Sequence, residues 1–128
     1  MNISIDLPWG TSANVAYIRT MRGIALSKPG RLFREHVVTQ IADDKQNLGL
    51  ADNLSVSIEL FEPDKRRRDI DNLIKPLLDA LEAANVFVND NQINKLSICR
   101  AGYESGGRMR VTVETIEEPE AEQDEQDE

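Results

Sequence analysis

Residues 54–84 read LSVSIELFEPDKRRRDIDNLIKPLLDALEAA. Leu54, Val56, Ile58 and Leu60 alternate with Ser55, Ser57 and Glu59, the period-two pattern of a strand with one buried face. The pattern stops at Pro63, and from Asp71 the period changes. Leu73, Leu77, Ala80, Leu81 and Ala84 recur at helical spacing, and Ile74 and Leu78 form an adjacent stripe. More than half of the helix circumference is therefore apolar, which predicts burial on two sides, by a sheet and by a partner subunit. Pro76 falls in the first turn or just beyond, where few intrahelical donors are lost.

Working outward, Ile3, Ile5 and Leu7 alternate with polar residues as a strand closed by Pro8. Residues 8–26 read as a loop with a short strand. Ser27 is a good N-cap, Pro29 sits in the first turn, and Phe33, Val37 and Ile41 recur every four residues, with Val38 and Leu48 near the same side. This predicts an amphipathic helix over 28–48 that frays near Gly49. Residues 93–100 and 108–115 read as strands, and Gly102 with Gly106-Gly107 between them predicts a hairpin. The order strand, helix, strand, helix, strand, strand gives an α/β (α+β) fold with a mixed sheet and two main helices.

A chain of 128 residues accommodates one core. The net charge of −8 is misleading, because residues 117–128 alone carry eight acidic groups and no basic one, leaving residues 1–116 neutral. This predicts a folded domain over 1–116 and an acidic, disordered tail over 117–128. Nucleic acid is not excluded as a partner of such a domain; the placing of its cations decides. Cys99 and His36 are the only residues of their kinds, which excludes an internal disulfide, a Cys-based zinc cage and a His cluster. No run approaches the length of a membrane span, and Met1 to Asp6 have neither the basic nor the apolar segment of a signal peptide. A cytoplasmic protein is expected.

The chemistry concentrates in residues 63–92. Lys65, Arg66, Arg67 and Arg68 are consecutive cations; Asp69, Asp71 and Lys75 follow, and Asp90 comes later after Val86-Phe87-Val88. In an extended link the side chains of Asp69 and Asp71 point the same way. Two carboxylates so placed repel unless a positive charge lies between them, and all-oxygen ligation suits Mg2+ or Mn2+. Asp90 could add a third carboxylate if the helix folds back toward its own start. Lys75 lies one turn from Asp71 and could neutralise a phosphate, and the upstream cations supply phosphate contacts. Acidic ligands in a basic setting fit metal-assisted phosphodiester hydrolysis. The plainer alternatives are a solvated cationic loop, Asp71 as a helix cap and Asp90 as an ordinary turn residue. A D-x-D pair by itself also serves glycosyltransferases.

The run RDIDNLIKPLLDAL followed by NDNQI resembles the signature of RusA-type Holliday junction resolvases, and the resemblance extends over residues 1–116. It implies that Asp69, Asp71 and Asp90 bind the catalytic metal and that Lys75 is the essential lysine. Arg68 and Asn72 match positions implicated in the site or in DNA contact. Leu7-Pro8-Trp9 with Ser12 and Asn14 is similar to the family's N-terminal loop. Gly10 and Thr11 stand where members often carry prolines, and Asn89 stands where members often carry a second acidic residue. The acidic tail is outside the pattern.

The resemblance implies a homodimer that nicks opposing strands of four-way junction DNA in recombination and repair, with one or two Mg2+ ions, Mn2+ able to substitute, and no organic cofactor. The expected DNA contacts are Lys65, Arg66, Arg67, Arg68, Asn72 and Asn14. Two rivals remain: a non-catalytic DNA-binding module, and a small metal-binding regulatory or nucleotide-binding protein. Trp9 is expected to pack on the core rather than stack on a base, Cys99 to be a small core residue and His36 to lie at the solvent edge. Arg19, Arg22, Lys28 and Arg31 read equally as a second DNA patch or as ordinary surface charge. No role is assigned to Tyr17 or Tyr103.

Overall fold

A computed structural model describes residues 1–117. The strands are β1 (Asn2–Pro8), β2 (Tyr17–Thr20), β3 (Gly23–Leu26), β4 (Asn53–Glu62), β5 (Ile93–Tyr103) and β6 (Arg108–Ile116); the helices are α1 (Ala13–Ala16), α2 (Lys28–Asp43) and α3 (Ile74–Ala83). Four strands form one sheet in the order β1-β6-β4-β5, and β2 and β3 form a separate ribbon. β4 runs parallel to β5 and antiparallel to β6, so the sheet is mixed, as expected.

The alternation in β4 becomes a two-layer structure. Leu54, Val56, Ile58 and Leu60 are buried and join Met109, Val111 and Val113 of β6 and Ile5 and Leu7 of β1. Phe33, Val37 and Ile41 of α2 and Leu77 and Leu81 of α3 close over the same core. The Ser27 hydroxyl starts α2 by accepting the Gly30 N–H at 3.1 Å.

Several expectations are corrected. β5 and β6 do not form a hairpin; β4 lies between them, because its two edges take β5 in parallel and β6 in antiparallel pairing. The helix expected over 28–48 stops at Asp43; Lys45 turns the chain at φ 59°, and Val38 and Leu48 lie exposed. α3 starts at Ile74, not Asp71, after a 3-10 turn over Ile70–Leu73. Its second stripe is used within the chain: Leu78 is buried and Ile74 packs on the core, so that belt is no longer a reason to expect a partner. Cys99 is exposed because β5 is an edge strand that is mostly open to solvent. The acidic tail lies, from residue 118, outside the described residues. Trp9 packs against the core and His36 is exposed, both as read from sequence. Among the described residues no helix is long and apolar enough to cross a membrane.

Candidate nuclease site

The loop after β4 is organised by Asp64. Its Oδ1 accepts the Arg66 N–H at 2.9 Å and Nη2 of Arg68 at 2.7 Å, and its Oδ2 meets Nη2 of Arg66 at 3.1 Å. The bonds from Arg66, then from Arg68, hold its carboxyl well below the usual carboxylate range. Arg68 is mostly buried. It also donates to the carbonyls of Asp64 and Arg66, lies 3.7 Å from the buried Glu62 and stacks over the Trp9 ring at 5.6 Å. Arg100 pairs with Glu62 at 3.3 Å from the other side and donates to the Arg68 carbonyl. The four cations therefore divide. Arg68 is largely buried in building the loop; Arg66 is exposed but its guanidinium is paired with Asp64; Lys65 and Arg67 are exposed, Lys65 over the Tyr103 ring at 5.8 Å.

Asp69 follows with extended backbone, but Asp71 lies inside the 3-10 turn, so the extended link expected to align the two does not exist. Both carboxylates are exposed and, among the described residues, neither side chain accepts a hydrogen bond or pairs with a cation. Asp69 borders two clefts. One, of about 670 Å³, is lined by Lys65 to Arg68, Glu62, Arg100 and Tyr103. The other, of about 560 Å³, runs from Trp9, Ser12 and Val15 to Arg67 and Asn72. Asn14 is exposed on α1, between Ser12 and Val15.

Lys75 reaches forward along α3 instead of back to Asp71. Its Nζ lies 2.9 Å from Oδ1 of Asp79, and the Tyr17 hydroxyl donates to Oδ2 of the same carboxylate. Hydrogen bonding to Asp79 raises the Lys75 pKa, and the charges of Asp79, Asp90 and Glu82 add to the effect. Burial and the bond to Asp79 push the Tyr17 phenol up.

Asp90 sits in a 3-10 turn over Asp90–Gln92 whose ends clasp one another. Oδ1 of Asn89 accepts the Asn91 N–H at 2.9 Å, and Oε1 of Gln92 accepts the Asn89 N–H at 2.7 Å. Gln92 also donates to the carbonyls of Leu50 and Asp52, and Glu82 accepts the Asp90 N–H at 3.0 Å. The Asp90 turn is thus tied to Glu82 near the C-terminal end of α3, and the Asp90 charge adds to the field at Lys75. Among the described residues, however, no three acidic, His or Cys side chains stand close enough to hold a metal ion. Asp69, Asp71 and Asp90 are not a ready-made cage.

Sequence reasoning missed Asp79, Tyr17, Glu62 and Glu82. Asp79 was discoverable, since it stands four residues after Lys75, the spacing of a helical ion pair. Nothing local links Tyr17 to a residue in α3.

A family model for endodeoxyribonuclease RusA matches residues 8–114. The chain is 34% identical over 110 residues to the crossover junction endodeoxyribonucleases RusA of Shigella sonnei and of Escherichia coli K12, covering 86% of this chain and 92% of each relative. It is 34% identical over 109 residues to the crossover junction endodeoxyribonuclease of Enterobacteria phage 82, covering 85% of this chain and 91% of the relative. Among solved structures, the periplasmic domain of Helicobacter pylori MotB overlays 97% of this chain and 79% of its own at 14% identity and a TM-score of 0.33, too slight a likeness to bear on the fold.

Proposed function

The chain belongs to the RusA family of endodeoxyribonucleases, and from that premise we propose that it is a metal-dependent endonuclease that resolves four-way DNA junctions by paired nicks, in recombination and repair. One observation carries the reading: two exposed and unpaired carboxylates, Asp69 and Asp71, lie between an exposed cationic loop and Lys75. Asp69 lines both clefts that the cations border, and a metal and a phosphate would use the two kinds of charge together.

The donors are carboxylate oxygens alone, which suits Mg2+, with Mn2+ as a substitute. The missing three-carboxylate cage is compatible with this ion, because Mg2+ keeps waters and is commonly held by one or two carboxylates together with substrate phosphates. Asp69, Asp71 and Asp90 would hold it, and when bound it supplies Lewis-acid polarisation of the phosphoryl group and an acidified water. The chain's own side chains do the rest. Lys75 offsets the charge that develops on the phosphoryl oxygens. Lys65, Arg66 and Arg67 bind backbone phosphates, and Asn72, which lines the second cleft, and the exposed Asn14 of α1 can donate to DNA. Arg68 is a positioning residue that shapes the loop. No organic cofactor is needed.

Two nicks require two sites, and a two-fold junction matches an isologous homodimer. Residues 1–116 form the endonuclease domain and residues 117–128 an acidic appendage, and the protein acts in the cytoplasm. Selectivity comes mainly from junction shape and deformability. The rival, a junction-binding module without chemistry, draws support from the absence of a preformed cage among the described residues.

A synthetic four-way junction incubated with the full chain decides between them. Symmetric nicks with Mg2+ and none with chelator support the nuclease; binding without nicks under both conditions supports the module. Sedimentation should give about twice 14.4 kDa. A monomer that still cleaves would overturn the dimer.

A further inference from the structure

Residues 7–34 contain no acidic side chain and five cations, Arg19, Arg22, Lys28, Arg31 and Arg34. At the centre of this stretch β2 and β3 form a ribbon that pairs with no other strand among the described residues. Its tip is built to a fixed shape. The Thr20 hydroxyl donates to the Gly23 carbonyl at 2.8 Å and accepts the Arg22 N–H at 3.2 Å. Gly23 has φ +112°, a conformation that side-chain-bearing residues rarely adopt.

This ordered tip holds Met21 wholly in water at 105% relative exposure, with Ile24 66% and Ile18 48% exposed. An apolar side chain so placed contributes nothing to folding, since its stabilisation comes only from leaving water. The ribbon is rooted at the proposed nuclease site: Tyr17, the first residue of β2, donates to the Asp79 carboxylate that holds Lys75. Four residues at a rise of about 3.4 Å carry the tip about 14 Å from that root. Along duplex DNA this is about four base pairs.

We propose that the β2–β3 ribbon is a DNA-probing arm. Arg19 and Arg22 grip backbone phosphates of a junction arm, and Met21 inserts at the branch point a few base pairs from the phosphate beside Lys75. The inference rests on the nuclease reading above. Charge selects DNA over a second copy of the chain, because two such cationic stretches repel each other and a polyanion complements them. A two-stranded ribbon fits a DNA groove, and apolar side chains wedge between base steps at the cost of unstacking them. A branch point favours the wedge, since unstacking costs least where pairing and stacking are already interrupted.

The test uses the full chain without Mg2+ on a four-way junction carrying 2-aminopurine at the branch point, and on a linear duplex of the same sequence. Binding of the wild-type protein should raise the fluorescence of the junction. Met21→Ser should abolish that rise and weaken junction affinity roughly tenfold, equivalent to about 1.4 kcal/mol, while duplex affinity stays unchanged. Met21→Leu should restore both. Arg19→Ala with Arg22→Ala should lower the salt slope by up to about 1.8 for two phosphate contacts. Because Met21 touches no core, circular dichroism should be the same for all variants. Wild-type fluorescence, affinity and salt slope in these variants would overturn the proposal. So would a halved sedimentation mass for Met21→Ser, which would mark the ribbon as a contact between copies. Adding Mg2+ to the same samples reads nicking separately: a wild-type protein that never nicks defeats the nuclease reading, while fluorescence and affinity still decide the ribbon.

Discussion

Lys75 is paired with Asp79, Nζ to Oδ1 at 2.9 Å, and Tyr17 fixes the second oxygen of the same carboxylate. The lysine proposed to face the phosphate is therefore aimed by a carboxylate that is itself held from β2. Replacing Asp79 with Asn keeps the shape and removes the charge. We expect nicking to slow by about tenfold, a loss of about 1.4 kcal/mol of transition-state stabilisation, with junction binding retained. The pH profile separates aiming from mere scaffolding. Asp79 raises the Lys75 pKa, so the ammonium persists to higher pH in the wild type. In Asp79→Asn that support is gone, and activity should fall off at lower pH on the alkaline side. Superimposable pH–rate profiles would leave Asp79 as a structural anchor only.

Asp71→Asn should abolish nicking and leave junction binding intact or slightly tighter. The substitution removes one candidate ligand charge, while the cationic loop, to which the Asp71 side chain makes no bond, is unaffected. Asp69→Asn should behave alike. A normal nicking rate at saturating Mg2+ in either variant would show that its carboxylate is not a metal ligand.

The split within the cationic run gives opposite outcomes for neighbours. Neutralising Lys65, Arg66 and Arg67 together should weaken junction binding and flatten its salt dependence by up to about 0.9 for each phosphate no longer neutralised, and should cost the fold less than loss of Arg68, because the Arg66–Asp64 pair is exposed. Arg68→Ala should instead destabilise the fold by about 2 kcal/mol, since it strips partners from Asp64 and from the buried Glu62. Urea denaturation and salt-titrated binding, run on both variants, distinguish the roles.

Gln92 connects the Asp90 turn to the chain ahead of β4 through the carbonyls of Leu50 and Asp52, and accepts the Asn89 N–H. Gln92→Ala should cost about 1 kcal/mol, the net worth of hydrogen bonds at a partly exposed site where the Leu50 carbonyl keeps the Val88 N–H, and should reduce nicking because Asp90 loses its frame. A stability within error of the wild type, by urea unfolding, would place those carbonyls in contact with water.

The elements were legible wherever one local period governed them: the buried alternation of β4, the four-residue repeat of α2 and the apolar stripe of α3. Pairing was not legible. Gly106-Gly107 do lie in a turn, closed by the Gly107 N–H on the Glu104 carbonyl, whereas Gly102 belongs to β5; adjacency along the chain does not give adjacency in the sheet, and β4 competes for both partners. The misreading of Cys99 has the same root, because an apolar residue in a strand reads as core until the strand is known to be an edge. At the candidate site, the carboxylates and Lys75 were visible as a motif, whereas Arg68 looked like its three cationic neighbours. Its different role depends on Glu62 and Trp9, and no local pattern announces those contacts.

The acidic end of the chain gives the last test, and it rests on charge alone. Residues 117–128 contribute eight negative groups to a chain whose remainder is neutral. If they compete with DNA for the cations of the loop and ribbon, truncation after Ile116 should raise junction affinity several-fold at low salt. The gain should shrink as ionic strength rises, because screening acts over about 8 Å at physiological salt. Competition also predicts that the truncated protein has the steeper salt dependence, since no internal anion then occupies a phosphate position. Equal affinities for the two proteins at low salt, with poorer solubility of the truncated one, would assign the acidic residues to solubility instead.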